Sequence, residues 1–169
     1  MLLALSLAGC LLGCGPNEIE REAKRLAETL VDGRKHLADG EPDLAIACFD
    51  QVIEESNYVE AYVERGQAYR EKGEQDRALK DLSTALQLQS DHVSALYRRG
   101  LLYNELRNFP AALSDFDRAL ETLDRDRDEM TPEAKLRVPK DSWVLHNRGL
   151  AYFGLEEYEK AIRDFDAVL

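Results

Sequence analysis

One block of residues returns on itself along this chain. Arg65-Gly66 and Tyr69, followed by Ala78, Asp81 and Leu82, recur at a shift of 34 as Arg99-Gly100, Tyr103, Ala112, Asp115 and Phe116. A third copy holds Arg148-Gly149, Tyr152, Ala161, Asp164 and Phe165, and a weaker early copy holds Gly33, Ala45, Phe49 and Val52. In every copy the Gly and the Ala stand 12 apart. A unit of this length cannot bury an apolar face alone, so the copies must stack. Spacings of three and four place the Gly and Tyr on one helix face, and the Ala and Phe on the face of a second helix. Gly40 and Gly73 suit left-handed helix ends, and Pro42 and Pro110 suit first turns. The pattern predicts helices near 18–39, 42–56, 59–72, 75–89, 92–106, 109–123, 142–154 and 158–169, with no β-alternation.

These recurring residues resemble the tetratricopeptide repeat (TPR), a helix–turn–helix unit of 34 residues, over roughly residues 26–169. The resemblance implies an all-α fold, a right-handed α-solenoid of about four TPR-like repeats near 26–58, 59–92, 93–126 and 142–169. The third and fourth copies are 49 residues apart, which leaves an insertion within 121–141. There Thr131-Pro132-Glu133 looks like a helix start. Asp124, Asp126 and Asp128 have the spacing of a calcium loop, but Glu129 and Lys135 replace the Gly and the acid that such a loop needs.

In the family the first helix of each unit lines a concave groove. That implies a polar stretch, Glu60, Val63, Gln67 and Arg70, followed by Ser94, Tyr97, Leu101 and Asn104 and then Trp143, His146, Leu150 and Phe153. The partner-binding candidates are Tyr97, Leu101, Asn104, Trp143, His146, Leu150 and Phe153. Some family members grip a C-terminal carboxylate with a Lys and an Asn at the second and third of these places, which here hold Val63 and Gln67, Tyr97 and Leu101, and His146 and Leu150.

A second recurrence is electrostatic. Arg65 and Asp81, Arg99 and Asp115, and Arg148 and Asp164 each stand 16 apart, and in the early copy both members change, to Asp32 and Cys48. The joint change points to an ion pair between the helices of each unit.

The N-terminus is of another kind. Residues 1–14 carry no charge and are mostly Leu, Ala and Gly, too short to span a bilayer but similar to the apolar core of a secretory signal. Leu7-Ala8-Gly9-Cys10 and Leu11-Leu12-Gly13-Cys14 both resemble the bacterial lipobox. The polar stretch after Cys14 favours it over Cys10 as the lipidated residue, with 1–13 as signal and 14–25 as tether and start of the first helix. A signal should open with Lys or Arg, and none precedes Arg21. The expected location is a bacterial cell envelope, with the cytoplasm as alternative. Cys48 lies in an apolar helical pattern and reads as a buried thiol.

With 33 acidic against 22 basic side chains the formal net charge is −11, and the cations form no stripe that would track a phosphate backbone, so no nucleic acid is expected. His36, His92 and His146 share no carboxylate or zinc-type spacing, so no catalytic residue, metal or cofactor is expected. The reading is a non-catalytic adaptor that binds a peptide or protein at a membrane. The alternative is a structural subunit of an envelope or pilus assembly, docking or self-associating through its last helix, where Ile162, Phe165, Val168 and Leu169 lie together.

Overall fold

The computed structural model describes residues 16–136 and 138–169, all of them helix, turn or loop without a strand. The helices are α1 (Pro16–Ala38), α2 (Pro42–Glu55), α3 (Val59–Glu71), α4 (Gln75–Leu88), α5 (Val93–Glu105), α6 (Phe109–Asp126), α7 (Pro132–Lys135), α8 (Asp141–Gly154) and α9 (Tyr158–Asp166). Pro at the first turn of α2 and α6 starts each helix where its missing N–H leaves nothing unpaired. α6 runs on to Asp126, so Asp124 and Asp126 are helical, and Thr131-Pro132 opens the short α7. Among the described residues no helix is long and apolar enough to cross a membrane.

The chain divides into two compact units, one ending at Ala78 and the other beginning at Leu79. In the first, α1 packs on α2, α2 on α3, and α1 touches α3. Their core is Leu26, Leu30, Ala45, Phe49, Val52, Ala61 and Ala68. In the second, α5 packs on α6, α6 on α8 and α8 on α9, with α5 touching α8. Leu96, Leu102, Phe116, Ala119, Val144 and Ala151 are fully buried there.

The recurring Gly sets the distance between paired helices. A Cβ on Gly33, Gly100 or Gly149 would lie 2.6 Å from the ring of Phe49, Phe116 or Phe165 respectively, inside any tolerable carbon contact. Phe165 is therefore turned inward. The exposed apolar set on and after α9 is Tyr158, Ile162, Val168 and Leu169, without the Phe165 expected among them.

Turns repeat as well. After α1 and α3, Gly40 and Gly73 take φ of +77° and +76°. Each closes a Schellman turn, in which Glu41 N–H donates to His36 O at 2.8 Å and Glu74 N–H to Tyr69 O at 2.8 Å. After α5 and α8 the same place is taken by Arg107 (φ 57°) and Glu156 (φ 62°).

Candidate functional site

Tyr97, Leu101 and Asn104 lie on one face of α5, and Trp143, His146, Leu150 and Phe153 lie on one face of α8. Two asparagines join these faces. Asn104 Nδ2 donates to the Asn147 carbonyl at 2.8 Å, and Asn147 Nδ2 donates to the Trp143 carbonyl at 2.8 Å and to Tyr97 Oη at 3.3 Å. Asn104 Oδ1 is buried and accepts no hydrogen bond among the described residues.

Tyr97, Leu101 and Asn104 are half-buried, with the Tyr97 ring tilted on Phe116 at 6.2 Å. The α8 row is open: Trp143 is 53% exposed, Leu150 45% and Phe153 59%. His146 is also exposed, its ring 5.6 Å from that of Phe165. Lys140 Nζ sits 5.6 Å from the Trp143 ring centre, and Phe153 meets Tyr158 edge to face at 5.5 Å. A Trp and a Phe held on a helix can take an apolar side chain of a partner. They supply no nucleophile or paired acid and base.

The corresponding positions of α3 are polar, except that Val63 is only 2% exposed and belongs to the core, not to a groove. Gln67 Nε2 donates to Glu71 at 2.8 Å.

Arg99 grips Asp115 with two bonds, Nε to Oδ2 at 2.7 Å and Nη2 to Oδ1 at 2.8 Å. Arg148 grips Asp164 in the same way, at 2.8 and 2.7 Å. Asp115 and Asp164 are buried, as is Asp81. The carboxylate bonds raise both guanidinium pKa values against the opposing pull of burial. Where the early copy has Asp32 and Cys48, burial foremost and then the Asp32 charge push the Cys48 thiol up.

One contact was not expected from the sequence. Each arginine also turns its Nη1 back to the preceding repeat: Arg65 to Asp50 at 2.5 Å, Arg99 to Ser83 Oγ at 3.2 Å, and Arg148 to Asp117 at 2.7 Å. Asp50, Ser83 and Asp117 each follow the recurring Ala by five residues, a polar register visible in the sequence. The insertion obscures this register by changing the offset from Arg148 to Asp117, and a serine stands among the aspartates. Cys10 and Cys14 lie outside the described residues.

Models of the TPR repeat and of the tetratricopeptide repeat match residues 66–106 and 144–169 respectively. A curated relative, DnaJ homolog subfamily C member 3 of Gallus gallus, is 31% identical over 126 residues, which is 73% of this chain. The chain spans 23% of that protein's length. Among solved structures, that of MamA superposes with a TM-score of 0.67 at 21% identity, over 90% of this chain and 81% of that one. The first TPR of Spaghetti (RPAP3), bound to the HSP90 peptide SRMEEVD, superposes with a TM-score of 0.56 at 24% identity, over 72% of this chain and 94% of that one. These likenesses show the fold, and the family models place tetratricopeptide repeats at residues 66–106 and 144–169.

Proposed function

We propose that this protein is a non-catalytic adaptor, lipid-anchored at a bacterial membrane, that holds a peptide or protein partner against the joined faces of α5 and α8. The observation that carries the reading is the open row of Trp143, Leu150 and Phe153 beside the Asn104–Asn147 link. Large aromatics left in water on a rigid helix favour a partner that removes them from it. The RPAP3 domain of the same fold is bound to a peptide, which supports the mode but not that ligand, because the carboxylate-gripping Lys and Asn are missing here.

Replacing Trp143 and Phe153 together by Ala should abolish partner capture by native-membrane crosslinking while the circular dichroism of the chain stays unchanged. Capture that survives the double substitution removes the groove from consideration. The anchor has its own test: Cys14→Ser should release the protein from the membrane fraction, or Cys10→Ser if that thiol is the acceptor. Membrane retention of the double Ser variant excludes the lipid anchor.

A second reading, docking through the last helix, is favoured by Ile162, 57% exposed on α9.

A further inference from the structure

The connections from α2 to α3 and from α4 to α5 take three and four residues, whereas that from α6 to α8 takes fourteen and includes α7. The longer connection encloses space that it does not fill. A cavity of about 300 Å³ lies among the end of α6, the turn after it, α7 and the entry to α8, a volume within the range of small-molecule sites. Its apolar lining is the more buried part: Leu123 is 5% exposed, Pro139 is buried, and Met130 and Val138 are half-buried. The cations of the lining, Arg127, Lys135 and Lys140, are exposed. The Asp141 carboxylate beside them is already bonded by Arg127 Nη2. Lys135 and Lys140 have no ion-pair partner among the described residues, and Lys140 rests its Nζ 5.6 Å from the Trp143 ring centre. Two unneutralised cations thus stand over an apolar floor, in a chain whose formal net charge is −11.

We infer that this cavity binds a small amphiphilic anion, a single-tailed organic carboxylate, with its tail against Leu123, Met130, Val138 and Pro139 and its charge at Lys135 and Lys140. The gradient from buried apolar floor to exposed cationic mouth is that of the ligand turned inside out. A neutral apolar molecule would leave the lysines unused, and an inorganic anion would leave the floor uncovered. Lysine suits the mouth, because its flexible stem lies along apolar surface while its ammonium follows a charge in water. The site lies apart from the joined faces of α5 and α8 and does not rest on their reading as a groove. Its link to them is the Lys140–Trp143 contact, which makes the single tryptophan of the chain a reporter of occupancy.

The probe is octanoate, titrated into the full chain with Trp143 fluorescence and side-chain methyl shifts recorded by NMR. It should change the fluorescence saturably at millimolar concentration or below and shift the methyls of Leu123, Met130 and Val138. Acetate, which lacks the tail, and octylammonium, which reverses the charge, should do neither. Lys135→Gln combined with Lys140→Gln should weaken octanoate binding, read from the methyl shifts, by about tenfold or more while the circular dichroism stays unchanged. Val138→Phe, which narrows the floor and keeps both lysines, should weaken it as well. Methyl shifts confined to Leu150 would put the amphiphile on the α8 row, and octylammonium bound as well as octanoate would deny the lysines a part; either result overturns the inference, as does no shift at all. Binding to phosphatidylglycerol vesicles that the two Gln substitutions abolish and octanoate does not compete would make the anion a membrane lipid, and the free carboxylate would be wrong.

Discussion

At the scale of single residues the arginines carry the most consequence. Arg148 satisfies Asp164, whose side chain is 8% exposed, and also Asp117, whose side chain is 46% exposed. Removing Arg148 leaves a buried carboxylate unpaired, so Arg148→Ala should cost about 3–5 kcal/mol in chemical denaturation. Asp117→Ala, which deletes only the open partner, should cost about 0–1 kcal/mol. Equal small losses would place all three side chains in effective solvent. The Cys48 thiol gives a second check. Burial and Asp32 raise its pKa, so a smaller fraction is thiolate at a given pH. In a chain with Cys10 and Cys14 replaced by Ser, Cys48 should react with a disulfide reagent more slowly than free cysteine at pH 8, and Asp32→Asn should speed it modestly. A rate above that of free cysteine would contradict the assignment.

At the scale of elements the turns and the helix crossings separate two uses of glycine. Gly40 stands at φ +77° with open space around its Cβ direction, so Gly40→Ala should destabilise by about 1 kcal/mol through backbone strain alone. Arg107, at φ 57° in the equivalent turn, should gain about 0.5–1 kcal/mol when replaced by Gly. Gly100 is different, since its added Cβ would meet the Phe116 ring at 2.6 Å. Gly100→Ala should therefore cost about 1–3 kcal/mol by overpacking, and Phe116→Leu in the same chain should recover part of it. Thermal or urea midpoints of the four variants check the order, and Gly100→Ala tolerated without loss would mean the helices can move apart.

At the scale of the whole molecule charge decides the response to salt. A formal net charge of −11 opposes compaction, while most ion pairs outside the buried arginines are exposed and contribute little. Raising sodium chloride from 10 to 150 mM should therefore raise the melting temperature. A fall would show that the surface pairs outweigh the net repulsion. Partner binding at the apolar α8 row should depend little on salt.

Legible in the residues alone were the element order, the pairing of helices and the ion pairs of Arg99 and Arg148 with Asp115 and Asp164, though not their two-bond geometry. Each of these is repeated, and recurrence in register separates a structural demand from chance. The resemblance to the tetratricopeptide repeat implied the row of Trp143, Leu150 and Phe153, and all three are exposed on α8. Tertiary structure alone decided burial. Val63 and Phe165 lie at positions that periodicity leaves ambiguous, and neighbouring helices turn both inward. It alone decided that Arg107 and Glu156 adopt left-handed turns, since the Schellman bonds of the packed unit hold them where their own preference would not. The backward reach of each arginine to Asp50, Ser83 or Asp117 belongs to the same class, because it requires two consecutive repeats to be stacked before the contact exists.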